Sequence, residues 1–199
     1  MGIIDYFSGD DDNSRAIQTP DAVGKNFGQA FRMGGVAKDI VTAKFRTVVI
    51  IGGGADSITL AAKIYACSGT PGTDGVQTGA TLATSTPIEY TESSDPFQPD
   101  WAEFTFSTPY TLVANTNYCL VLECTALTEV AVAQAIVTSD DTSPTHDGNQ
   151  CYDNGAPGYN VGEDTNFYAY SAGWSGKLCG VSSPGKVNGI ADIGKITGV

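Results

Sequence analysis

Between Trp101 and Cys124 the chain alternates apolar and polar positions twice, with a turn between the two runs. Ala102, Phe104 and Phe106 fall on one face, Glu103 and Thr105 on the other; Tyr118, Leu120, Leu122 and Cys124 then share a face. A period of two sustained over roughly six to eight residues marks a half-buried strand. Pro109 and Asn115-Thr116-Asn117 supply the punctuation. Upstream, Val41, Ala43, Phe45 and Thr47 oppose Thr42, Lys44 and Arg46, and Ile58, Leu60, Ala62 and Ile64 share a face. Residues 27–33 offer a short strand, 129–138 alternate through Val130, Val132, Gln134 and Ile136, and 166–170 close the series. Thr81 to Tyr90 reads as a strand with Pro87 inside it, which predicts an edge or a bulge. Turn-rich stretches at 68–80 and 93–100 separate these runs. Strands at this spacing predict an all-β fold, an antiparallel jelly-roll-like β-sandwich over residues 36–181.

The ends lack this pattern. Residues 1–35 read as an N-terminal arm with one short strand, because Asp10-Asp11-Asp12-Asn13 and Gly24, Gly28, Gly34 and Gly35 break any periodicity. Ile3, Ile4 and Phe7 are the apolar points by which such an arm docks on a neighbour; a loose terminus is the alternative. Residues 182–199 form a C-terminal docking tail in which GKVNGI at 185–190 is echoed by GKITGV at 194–199. The tail cannot build its own core, so Val187, Ile190, Ile196 and Val199 are expected to pack on the sandwich or on another chain.

Composition narrows the partners. The net charge is −12 and the ten Lys and Arg are spread along the chain, so no clustered basic surface is there to neutralise phosphates, and nucleic acid is not expected. No apolar run reaches the roughly 18 residues of a membrane span. The first residues lack a basic segment followed by an apolar one, which predicts synthesis in the cytoplasm without a signal peptide. Of the five cysteines, Cys67, Cys119 and Cys124 sit in strand patterns as small buried apolar groups. Cys151 and Cys179 lie in a Gly-rich region, where pairing or staying free is left open.

Candidate chemistry is thin. VVIIGGGAD at 48–56 begins like a dinucleotide fingerprint, but Ser57 stands at the third glycine and a strand follows where a helix is required. The triple glycine reads as a hairpin turn. His146 is the only histidine and no G-x-S-x-G elbow accompanies it, so a surface loop histidine is expected. Asp140/Asp141 or Glu163/Asp164, in the long irregular stretch 139–165, are carboxylate pairs that could serve a glycosidase, against the plainer reading that acidic loops are common in a chain of this charge. No zinc spacing occurs, and no metal site or cofactor is expected. Calcium is the one ion the oxygen-rich loops leave open, although Arg15 occupies the position where Asp10-x-Asp12-x-Ser14 would need glycine. Tyr152, Tyr159 and Trp174 are the aromatic side chains placed to stack on sugar rings, against the plainer role of closing the rim of the sandwich.

From Asp39 to about Trp174 the chain resembles jelly-roll β-sandwich modules of tailed-phage virion proteins, also seen in bacterial surface proteins. The segments that carry this are GQAFRM, DIVTAKFRT, SITLAAKIYACSGTPGTDGVQTGATLATSTPIEY, WAEFTFSTPYTLVANTNYCLVLE and the later GYN and DTNFYAYSAGW. The tail GKVNGIADIGKITGV is similar to the short K-[IV]-N-G-[IV] segments that end phage structural proteins. The resemblance implies a non-enzymatic virion subunit (capsid decoration, head fibre or tail appendage) whose partners are other virion subunits and copies of itself. It implies a location in the virion. The alternative is a carbohydrate-binding module recognising surface glycans. No catalytic residues come with it.

Overall fold

A computed structural model describes residues 1–18, 23–51, 56–91, 100–128 and 133–172, together with the backbone of 177–178 and 181–182. Every regular element among them is a strand. In chain order these are β1 (Gly2–Phe7), β2 (Asn13–Gln18), β3 (Asn26–Arg32), β4 (Lys38–Ile51), β5 (Ser57–Ser68), β6 (Val76–Thr84), β7 (Ile88–Tyr90) and β8 (Asp100–Leu112). They continue as β9 (Asn117–Thr128), β10 (Ala133–Asp140), β11 (Asn149–Asp153), β12 (Pro157–Asn160), β13 (Asp164–Thr165) and β14 (Phe167–Ser171). β15 (Lys177–Leu178) and β16 (Val181–Ser182) pair only with each other.

The strands form two antiparallel sheets packed face to face. The front sheet runs β1-β14-β4-β10-β13, with β8 also on β4 and β2 also on β10; the back sheet runs β12-β11-β3-β9-β5-β6, with β7 on β5. Along β5, β8 and β9 alternation places the inward side chains as the sequence predicts; in β10 the inward positions are Ala133, Ala135 and Val137 instead of Gln134 and Ile136, and the register shift after Ile40 in β4 puts Ile40 in the core in place of Val41. Phe45 of β4 and Phe104 of β8 meet edge to face at 6.4 Å, and Phe31 of β3 meets Phe167 of β14 across the two sheets. Ile58, Leu60, Ile64, Leu120 and Leu122 complete the core from the back sheet, all fully buried. Burying each such side chain stabilises the fold by about 1.5–3 kcal/mol before chain entropy is set against it.

The first 18 residues differ from the expected arm. β1 lies on β14 from Gly2↔Ser171 to Phe7↔Phe167, and β2 lies on β10 from Asn13↔Ser139 to Gln18↔Gln134. Phe7 is 7% exposed and Ile17 fully buried, so both are core residues of this chain. Ile4 also packs against the core, and Ile3 alone of the three proposed docking residues faces solvent. The reason is pairing: β14 and β10 each offer an open backbone edge, and a six-residue strand with one apolar anchor suffices to fill it. Residues 139–165 also carry more structure than expected, since β11, β12 and β13 fall within them. At Pro87 the expected strand breaks into β6 and β7, both paired with β5. The triple glycine and the repeat at 185–199 lie outside the described residues.

The back sheet is strongly curled. Its two edge strands, β6 and β12, approach each other on the side away from the core. Its concave outer face therefore has an interior of its own, where Ala30, Cys119, Val121 and Cys151 are buried beside Tyr65 and Cys67. Register shifts between Ile64 and Ala66 and between Thr59 and Leu60 bend β5. Gly28 of β3 permits the close approach, because a Cβ there would lie 2.0 Å from the Leu120 carbonyl oxygen.

Candidate functional site

On the front sheet the outward positions of four adjacent strands carry a ridge of aromatic and charged side chains. Tyr6 of β1 stands opposite Tyr168 of β14, Tyr168 opposite Lys44 of β4, and Lys44 opposite Glu103 of β8. Tyr6 and Tyr168 stack at 5.4 Å between centroids, Tyr168 and Tyr170 at 5.7 Å. Trp101, at the start of β8, meets Tyr168 edge to face at 4.8 Å. The Lys44 ammonium lies 5.9 Å from the Tyr170 ring centre and 2.8 Å from the Glu103 carboxylate. That hydrogen bond to Glu103 raises the lysine pKa. Tyr6, at the edge of the ridge, is 52% exposed. Stacked rings stiffen neighbouring strands, yet here they also leave a strip of aromatic surface between charged groups on the solvent side.

Tyr6 is also the rim of a cleft of about 850 Å3 that runs beside β1 at one end of the sandwich, lined among others by Asp5, Arg32, Pro71, Asn117 and His146. The buried Asn117 Oδ1 has no hydrogen-bond partner among the described residues. His146, expected on the surface, is only 9% exposed at its side chain. Its Nδ1 accepts the Gly148 N–H at 2.9 Å and faces the Gln29 amide nitrogen at 3.2 Å, whose carbonyl is fixed by the Thr165 N–H. The neutral ring therefore carries its proton on Nε2, which lies 3.1 Å from Asp5 Oδ1. Burial pulls the histidine pKa down, but the Asp5 hydrogen bond and the charges of Asp5, Asp164 and Asp147 outweigh it and the net direction is upward. With both ring nitrogens engaged, His146 joins β1 to the loop before β11.

The loop carboxylates are likewise engaged within the chain. Glu163 takes Arg15 at 2.5 Å, Ser139 Oγ at 2.7 Å and the Gln150 amide at 2.9 Å. Asp164 takes the His146 N–H and the Gln29 amide, and burial raises its carboxyl pKa. Asp140 caps the turn at Thr142 and Ser143. Asp12 binds the Thr142 hydroxyl, which lowers its pKa, and Asp11 pairs with Arg46 at 2.6 Å. Among the described residues no three His, Cys, Asp or Glu side chains converge on a point where a metal ion would sit.

Of the expected sugar-stacking residues, Tyr152 and Tyr159 lie on opposite faces of the back sheet. Tyr152 of β11 packs against Phe27 at 5.7 Å and against the core, while Tyr159 of β12 is 44% exposed at the edge of the back sheet. Trp174 lies outside the described residues. Cys151 is a free thiol beside Cys119, and Cys179 lies outside the described residues. The ridge residues escape sequence reading because 6, 101, 168 and 170 become neighbours only through strand order. The outward alternation of Tyr168 and Tyr170 was the available signal. Comparison with protein families, with curated proteins and with solved structures finds no match to this chain.

Proposed function

We propose that this chain is a non-enzymatic β-sandwich module of a virion, a decoration, head-fibre or tail-appendage subunit, whose outward contact is with glycans along the Tyr6–Trp101 ridge. The ridge is the observation that carries the recognition half. Sugar rings present a face of C–H groups that packs on aromatic rings, while their hydroxyls need charged or polar neighbours, and Lys44 and Glu103 stand within the same row. The virion half rests on the sequence resemblance, including the jelly-roll type it implies.

The test is a glycan array probed with the full chain, followed by calorimetry on any glycan retained. Trp101→Ala and Tyr6→Ala are each expected to weaken binding roughly tenfold, about 1.4 kcal/mol, with melting temperatures little changed. Tyr152→Ala, away from the ridge, is expected to leave affinity intact. An array without a single bound glycan removes the recognition half.

A second reading, docking on another virion subunit or on a second copy, is favoured by β1. It is an edge strand of the front sheet and exposes Ile3 at 48%. Light scattering of the full chain distinguishes defined oligomers from a monomer.

A further inference from the structure

The curled back sheet has a mouth, a pocket of about 360 Å3 on the opposite side of the molecule from the ridge. Asn26, Tyr65, Gln77, Thr81, Glu123 and Asp153 line it. Its size lies at the low end of small-ligand sites, about 300–1,000 Å3.

The charged and phenolic donors beside this pocket are already engaged. Lys63 gives its ammonium to Glu123 Oε1 at 2.5 Å, and the Tyr65 hydroxyl and Asn26 amide both point to Glu123 Oε2 at 2.8 and 3.3 Å. Tyr65 keeps its proton firmly: burial first, against a hydrogen bond from Thr81, pushes its phenol up to about 12. The Gln77 amide nitrogen turns to Asp153 Oδ2 at 3.4 Å. That contact fixes which end of the amide is which, since a flipped Gln77 would set its oxygen against the carboxylate.

Acceptors are what remain. Gln77 is 6% exposed, and its buried Oε1 has no partner among the described residues. An orphaned buried carbonyl costs about 1–3 kcal/mol. Asp153 Oδ2 holds only the long Gln77 contact, its other oxygen being taken by the Gly155 N–H at 2.9 Å. Glu123 and Asp153 both line the pocket and the Lys63 ammonium pairs with Glu123, so these groups together leave a net negative charge. A ligand here has to bring donors and positive charge in a small volume.

We propose that this pocket is a binding site for a primary ammonium group, carried by an amino sugar or a lysine side chain, held by Asp153 and Gln77. An ammonium offers three donors and needs no acceptor in return. A neutral polyol needs donors in return, and those of Tyr65, Asn26 and Gln77 are turned to Glu123 and Asp153. The site is separate from the ridge, so its success or failure is independent of glycan binding there.

The experiment is NMR titration of the full chain with glucosamine and with Nα-acetyl-lysine amide. N-acetylglucosamine and the Nε-acetylated lysine derivative serve as neutral controls. At least one amine is expected to shift signals of β6 and β11 saturably, with its acetylated counterpart at least roughly tenfold weaker. Whichever amine binds names the source of the ammonium. Asp153→Asn is expected to weaken that amine roughly tenfold or more. Gln77→Met, which keeps the side-chain length without the orphaned oxygen, is expected to weaken it with no loss of thermal stability. Absence of saturable binding by both amines, equal binding of an acetylated control, or unchanged affinity in Asp153→Asn overturns the proposal.

Discussion

Gln29 donates one amide proton to Asp164 and turns the other toward His146, while its carbonyl holds the Thr165 N–H. This one side chain therefore ties β3, β13 and the turn at His146 together, and the charge of the imidazole is felt by all three. Protonation puts the second proton on Nδ1, against two N–H groups, so the acidic surroundings act against that cost as well as against burial. Because the folded-state pKa lies above 6.5, the contribution of His146 is complete below that value and is lost as pH rises through the folded one. Asp164, raised above 3.8 by burial, acts in the same sense at lower pH. Urea unfolding of the wild type is expected to become easier as pH is raised from about 6 to about 8, and His146→Gln to flatten that dependence. An unchanged slope in the variant would move the titration to another group.

At the scale of the element, β1 decides whether the N-terminal segment serves the chain or its neighbours. Phe7→Ala is expected to cost about 3 kcal/mol in urea unfolding, because the ring is buried against the core and 6.4 Å from the His146 ring. Ile3→Ala is expected to stay within about 0.5 kcal/mol, since that side chain is half exposed. Equal costs would mean that β1 is not seated as described. The contrast also explains what could be read beforehand. β4, β5, β8 and β9 were legible because each is long and carries apolar side chains at successive alternate positions, as Tyr118, Leu120 and Leu122 do in β9. β1 and β2 were not, because each is six residues long and offers a single buried anchor. β11 and β13 were hidden for another reason. Asn149, Gln150, Asp164 and Thr165 are buried polar residues whose partners come from β3, β10 and the loops, and hydrophobic periodicity cannot see a hydrogen-bond network. Loop aromatics are the ones a sequence singles out for stacking, whereas the ridge stands on strands and joins positions as far apart as Tyr6 and Tyr168.

The whole molecule has two interiors, the main core between the sheets and the smaller one inside the curl. Cys119 and Cys151 lie in the second, and Cys67 at its margin. The Cys119 pKa is raised by its hydrogen bond with Cys151 and by burial, against a lowering contact from Cys67, and that of Cys67 is raised by Cys119 and by burial. Cys119 and Cys67 are then seldom thiolates at neutral pH, and reagents reach the buried Cys119 and Cys151 only when β6 lifts from β11 and β12. Labelling by an aromatic disulfide reagent is expected to be slow for Cys119 and Cys151 in the native protein and to become fast in denaturing urea; rapid native labelling would mean that the curl stands open. The pairing of Gly2 with Ser171 has a mechanical side. The Ser171 hydroxyl reaches the Gly2 carbonyl at 3.1 Å, so the two positions sit at the same end of an antiparallel pair. Tension applied between them loads the ladder one rung at a time, peeling β1 from β14 instead of shearing all the bonds together. A particle that tethered the module by these two points would hold it with a zip that opens at low force, releasing Phe7 and slackening the grip on His146 before either sheet gives way.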